Sequence, residues 1–394
     1  FPFQLFAQYM DRLHLFYLWI IKNRRGIGWA SVLLGVVCII GISLIQVNNF
    51  LLEDLRKDNP FRIEFDYFEK EYAGVRPFEL SVDLKDSSSS IFEPEVLRKL
   101  DKLDGFLHEE YGAGFIISPL NFVKSLNKAS HNGNPEYYVL PESNREIRKL
   151  TKDLERGKRM SALSSFMTPE LNECRFAGKI GDWGKQEIEK KNLALAAFWD
   201  QEMGHETMSF HLTGTATLID LNNEYLSTTM IYGLLIAFLI VALIVGVMYK
   251  DWKMIIIALI PNLLPLMMIA ALMGYTGINL KVSTSIIFTI AFGIAVDDTI
   301  HFVGRLRLEL SKGRSRQYAL KRSFIGTGKA IIITSLILIA GFLTLIMSTF
   351  KGTFYTGALL SLTLLFAVIV DLLLLPVLFW AFYGKEEKSQ TTRL

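Results

Sequence analysis

Apolar residues along this chain gather into six long runs, and the polar segments between them are of very unequal length. A helix rises about 1.5 Å per residue, so about 20 mostly apolar residues cross about 30 Å of hydrocarbon. Runs of that kind occupy residues 29–47, 230–249, 254–273, 282–302, 330–347 and 353–383. The stretch between the first and second runs, 48–225, is polar and long enough to fold by itself. The pattern predicts a membrane α-helical bundle of six transmembrane helices with one extracytoplasmic domain inserted after the first. The expected divisions are 1–25, 26–47 for the first transmembrane helix, 48–225, 226–384 for the five-helix region, and a tail at 385–394.

Within 48–225 the elements alternate. Residues 78–84 alternate as a strand, 95–110 have helical periodicity, and 114–118 form a short strand. A charge-rich helix is expected over 143–160, a strand over 173–180, a helix over 185–202 and a closing strand over 209–213. Turn clusters stand at 86–90 and 132–135. Two strand-helix-strand units in one domain suggest a ferredoxin-like α+β sandwich. The helix at 143–160 reads as a solvated face, with an anion site as the alternative. Ahead of the first span, Phe3, Phe6, Tyr9, Leu13, Phe16, Tyr17 and Trp19 alternate with polar residues. That run is too short to cross, and it reads as an interfacial amphipathic helix or as the end of a preceding span.

Composition agrees with segregation into oily and polar blocks: 51% of the 394 residues are hydrophobic and 21% are charged. A net charge of +3 is too small at this length to suggest nucleic-acid binding. The basic residues stand at the ends of the apolar runs instead. Lys22, Arg24 and Arg25 precede the first; Lys250 and Lys253 separate the second and third. Arg305, Arg307, Lys312, Arg314, Arg316, Lys321, Arg322 and Lys329 lie between the fourth and fifth, and Lys385, Lys388 and Arg393 follow the last. All four groups fall on one side only if every run spans, which places both termini in the cytoplasm of a multi-pass cytoplasmic (inner) membrane protein. The large domain is then periplasmic or extracellular. Cys38 and Cys174 define no disulfide framework. The chain opens on Phe, and a longer polypeptide is the expected source.

Candidate chemistry concentrates in the fourth run, where Asp297 and Asp298 stand inside an apolar helix. A carboxylate near the bilayer centre costs about 2.5–3.5 kcal/mol on insertion scales, so two together require a compensating environment. Helical rotation of about 100° per residue points them at different neighbours. Gly293 lies one turn before Asp297 and leaves room for a neighbouring helix or water. Two readings follow: a proton-binding pair, or a pair satisfied by polar residues that locks the bundle. Thr334 and Ser335 on the fifth run either support a relay or bond back to their own helix. Asp371, within the sixth, is either a hydrated interfacial carboxylate or part of the coupling. His301 is either a relay or an interfacial histidine.

Enzyme motifs fail on spacing. A phosphate loop ending at Gly328 and Lys329 would need glycine at Ser323 and a hydroxyl at Ala330. A zinc-protease helix starting at His205 and Glu206 would need its second histidine at Ser209. An intramembrane aspartyl protease needs carboxylates from separate helices, a role in which only Asp371 could complement the adjacent pair. No metal or cofactor is expected.

The run GIAVDDTIHF at 293–302 resembles the signature of the resistance-nodulation-division superfamily, in its MMPL and Patched-like branch. HLTGTATLIDLNNEYL at 211–226, ITSLILIAGF at 333–342 and VDLLLLPVLF at 370–379 resemble that branch's membrane re-entry and its fifth and sixth spans. The resemblance implies a proton-driven exporter of hydrophobic or lipid-like molecules, with Asp297 and Asp298 at the proton-relay positions. It also implies two six-span halves. This chain holds one and is identified as the C-terminal half of a longer transporter or a half-size protein that pairs. The implied partners are membrane lipids, a hydrophobic substrate and that second half. A SecF-like protein-export subunit and a sterol-sensing type lipid sensor or scaffold share much of this topology.

Overall fold

The computed structural model describes residues 2–48, 50, 52–72, 74–86, 89–155, 163–204 and 206–384. The expected tail with Lys385, Lys388 and Arg393, His205, and positions 156–160 of the charge-rich helix lie outside the described residues. In chain order the elements begin α1 (Pro2–Lys22), α2 (Arg24–Ser43), α3 (Pro60–Glu71), β1 (Arg76–Leu84), α4 (Pro94–Glu109), β2 (Phe115–Ile117), α5 (Pro119–Ser130) and α6 (Asn144–Glu155). They continue with β3 (Glu173–Ile180), α7 (Lys185–Phe198), β4 (Met208–Thr213), α8 (Gly214–Tyr249), α9 (Trp252–Thr276), α10 (Val282–Ser311), α11 (Arg316–Leu343) and α12 (Lys351–Tyr383). They form two compact units. One is Asn48–Glu224; the other joins the chain up to Val47 with the chain from Tyr225 onward.

The Asn48–Glu224 unit is built on a sheet of order β2-β3-β1-β4 in which every neighbouring pair is antiparallel. Burial in β1 alternates with period two, so Phe78, Leu80, Val82 and Leu84 enter the core while Glu79, Ser81 and Asp83 face away from it. Leu97, Leu100, Leu103 and Leu107 of α4 and Leu195 of α7 join that core with Trp199. The opposite face is polar and carries the ion pair Arg175–Glu79 at 3.1 Å, with His211 Nε2 beside Asp83 at 3.6 Å. This is the usual division of an antiparallel sheet with helices on one side. Arg76, itself buried, pairs with Asp182 at 3.6 Å and with Asp220 in the first turns of α8. At the strand-to-helix corner Gly214 takes φ +87°, where a side chain would also strike Glu79.

Two helices here are absent from the periodicity reading. α3 is capped by Asn59 with Pro60 in its first turn, and α5 by Ser118 with Pro119. The predicted helix over 185–202 divides into α7 and a π-turn at Trp199–Met203, and the charge-rich helix begins at Asn144.

In the other unit, α2, α8, α9, α10, α11 and α12 are each long and apolar enough to cross a membrane. α12 packs against α2, α9, α10 and α11 and is the most enclosed. α2 and α9 touch backbone to backbone: a Cβ on Gly274 would lie 1.9 Å from the Gly41 carbonyl oxygen. The Tyr275 hydroxyl donates to the Val37 carbonyl oxygen at 2.7 Å beside the crossing. Small residues permit such contact where lipid removes the hydrophobic drive for helix association. α1 buries Leu13, Tyr17 and Ile20 against the bundle, with the Tyr17 and Phe324 rings 5.3 Å apart, while Leu15, Leu18 and Trp19 stay exposed.

Two helices start well before their apolar runs. α8 begins at Gly214 rather than near 230, and α11 at Arg316 rather than 330. The basic segment between the fourth and fifth runs is accordingly a helical hairpin turning at Gly313, not an extended loop. Its charges converge on Glu309, which is 2% exposed and meets Arg314 at 2.5 Å, Arg322 at 3.3 Å, Lys312 at 3.9 Å and Arg305 at 4.0 Å. A carboxylate buried that deeply requires such compensation.

Candidate functional site

Four spanning helices supply polar groups to one region of the bundle. On α10, Asp297, Asp298 and Thr299 are successive, so helical rotation sends them in three directions. Thr299 turns inward and is 1% exposed. Its hydroxyl lies 3.1 Å from Asn262 Nδ2 on α9 and 3.3 Å from Asp371 Oδ1 on α12. Asn262, also buried, donates to the Ala258 carbonyl oxygen at 2.6 Å, in the stretch of α9 interrupted by Pro261 and Pro265. Asp371 is 1% exposed, and its Oδ2 has no hydrogen-bond partner among the described residues. The reading of Asp371 as a hydrated interfacial carboxylate does not fit that burial.

Asp298 turns toward α11 and is half-buried; the Ser335 hydroxyl donates to its Oδ2 at 3.3 Å. Asp298 is within electrostatic reach of Asp371, although each carboxylate accepts from a different hydroxyl. Asp297 turns outward with His301, one helical turn on, at 3.4 Å, and both side chains are 71% exposed. They line a cleft of about 720 Å³ between α10 and α11, to which Asp298 and Thr334 also contribute. Thr334 donates back to Ala330 and Ile331 of its own helix at 2.9 and 3.1 Å. Gly293 is exposed on the same face of α10, and a Cβ placed there would meet nothing within 4 Å.

The region therefore grades from an enclosed carboxylate through a half-buried one to an open one. Such a series can carry a charge or a proton from a cleft to the middle of a bundle. Asn262 and Thr299 were not among the candidates drawn from the sequence. The available signal was that of the aspartates, a polar residue inside an apolar run, and for Thr299 its place directly after the pair. Among the described residues no cluster of His, Cys, Asp or Glu has the makings of a metal site.

A membrane protein of Methanocaldococcus jannaschii is 24% identical over 335 residues, covering 82% of each chain. A crystal structure of SecDF in its super-membrane-facing form superimposes with a TM-score of 0.46 at 12% identity, over 95% of this chain and 40% of that one. The family model for MMPL matches residues 177–393, more than half of the chain and all of the carboxylate region. The chain belongs to the MMPL family of membrane transporters.

Proposed function

We propose that this protein is one six-span half of a proton-coupled transporter that exports hydrophobic or lipid-like molecules, with Asp297, Asp298 and Asp371 as its proton-carrying groups. The observation that carries this reading is the graded series of carboxylates on α10 and α12, joined through Thr299 to Asn262 and through Ser335 to α11. A merely structural role would be served by one satisfied pair; it does not account for a buried Asp371 oxygen with no donor among the described residues. Gradient-driven flux through the reconstituted protein tests the reading: vesicles with an entrapped pH-sensitive dye and an imposed pH gradient should lose it faster than empty ones. Loss no faster than through the empty bilayer favours a sensor or scaffold without flux.

In the Asn48–Glu224 unit, the strand order β2-β3-β1-β4 with two strand-helix-strand units supports a ferredoxin-like α+β sandwich. We assign that unit to the outer side of a cytoplasmic membrane, because Lys22, Arg24, Arg25, Lys250, Lys253 and the cations around Glu309 fall on the opposite side when all six helices span. Cysteine labelling checks the orientation, with low background because Cys38 and Cys174 are buried. A label at Ser89→Cys is expected to react with an impermeant reagent from outside, and one at Ser311→Cys only after permeabilisation. Equal reaction from outside would remove the six-span orientation.

A second half completes the site. Asp297 and His301 on a spanning helix are 71% exposed, and lipid against an ionisable pair is costly. A polar partner surface over Gly293, Asp297 and His301 removes that cost, and a second six-span unit, in the same polypeptide or as another chain, supplies it. The archaeal relative is matched over the same share of both chains and so has about this length. Mass measurement in lipid nanodiscs should show two six-span units per active particle; an active particle holding one would refute the pairing.

A further inference from the structure

At the opposite end of α2 from the Gly41 crossing lies a region that the carboxylate series does not use. The helical path breaks at Asn23, between α1 and α2, and gathers Lys22, Arg24 and Arg25 there. Two hollows meet at this break. One, of about 620 Å³, is lined by the polar break itself, and the other, of about 970 Å³, runs along Gly28 and Val32 of α2, Leu264 of α9 and Leu374 and Leu378 of α12. Arg24 and Arg25 line both. The Arg24 guanidinium stacks 5.2 Å over the Trp380 ring, and Trp29, which lines the same hollow, is 75% exposed.

The charge balance separates this cluster from the other basic one. Arg305, Lys312, Arg314 and Arg322 share one carboxylate, Glu309, within 4.0 Å. Lys22, Arg24 and Arg25 have no acidic partner among the described residues. Cations without an acidic partner among the described residues, at the head of an apolar groove that two tryptophans also line, match an amphiphile with a negative head. Gly28 keeps the groove wall low, since a Cβ there would reach only Val377, at 3.9 Å.

We propose that this groove holds one anionic phospholipid of the leaflet around the N-terminal end of α2, its phosphate between Arg24 and Arg25 and one acyl chain along Gly28, Val32 and Leu264. The site is separate from the proposed transport pathway and does not depend on proton coupling. Native mass spectrometry of the full chain, offered phosphatidylglycerol or phosphatidylcholine, tests it. One phosphatidylglycerol should be retained in preference to phosphatidylcholine. Arg24→Gln with Arg25→Gln should weaken that retention about tenfold or more. Gly28→Leu, which fills the groove without changing charge, should weaken it as well. Arg307→Gln removes a cation that stacks on Tyr249 elsewhere and should leave retention unchanged. Equal retention of the two lipids, or wild-type retention by both the double variant and Gly28→Leu, would overturn the proposal. Displacement by free glycerol phosphate at the concentration that suffices for the lipid would also overturn it, because the groove would then contribute nothing.

Discussion

Asp298→Asn should lower gradient-driven flux at least about tenfold while the protein still inserts and melts as the wild type does. The side-chain shape is nearly unchanged, and the Asn carbonyl oxygen can still accept from Ser335, so the link between α10 and α11 at 3.3 Å survives. What disappears is the ability to alternate between a charged and a neutral state. Moving one charge through the full potential is worth about 2.3 kcal/mol per 100 mV, which biases a two-state equilibrium more than tenfold. A group that cannot titrate forfeits that bias. Asp297→Asn should act in the same direction, because Asp297 stands with His301 where the cleft opens. Flux into dye-loaded vesicles, measured beside a melting curve, separates coupling from folding. Wild-type flux in both variants would make the aspartates structural and leave a lipid sensor or scaffold as the better reading.

The legible part of this protein is what the bilayer enforces. Six apolar runs are visible because hydrocarbon thickness fixes their length, and Asp297, Asp298, Ser335 and Asp371 are visible because polar groups inside such runs are costly. The ends of helices are less visible. The turns of α8 before residue 230 and of α11 before 330 mix polar with apolar residues, and such mixed turns resemble loops when a continuous apolar run is the guide. α3 and α5 were readable in principle, since Asn59 before Pro60 and Ser118 before Pro119 are both cap residues followed by proline at the first helical position. Thr299 and Asn262 were harder. A threonine in a helix bonds back to its own carbonyls by default, as Thr334 does, and only packing shows that Thr299 bonds sideways instead. Packing likewise decides which aspartate faces the bundle. Spacing shows that Asp297 and Asp298 diverge; the rotation of α10 against α11 determines that Asp298 is the one that meets Ser335.

Asp371 divides the two roles a buried carboxylate can have, and substituting it should show which one holds. Through Thr299 it joins α12 to α10, at 3.3 Å, and its other oxygen has no donor among the described residues. If the residue serves only as a lock, Asp371→Asn keeps an acceptor for Thr299 and should keep flux. Asp371→Leu would remove that acceptor and should lose about 1–3 kcal/mol of stability. If it carries a proton, the pattern reverses. Asp371→Asn should then lower flux at least about tenfold with no loss of melting temperature. Asp371→Leu should be equally inactive, and its melting temperature should be level with the wild type or higher, because a buried charge without full compensation opposes folding. With Asp371 gone, the Thr299 hydroxyl can donate to Asn262 Oδ1 instead, at 3.4 Å, which limits the loss. We expect the second pattern. Membrane helices rarely retain a carboxylate enclosed to 1% exposure, with one oxygen lacking a donor among the described residues, unless its charge has to change. Normal flux in Asp371→Asn together with a lower melting temperature in Asp371→Leu would assign Asp371 to the lock and leave proton coupling to Asp297 and Asp298 alone.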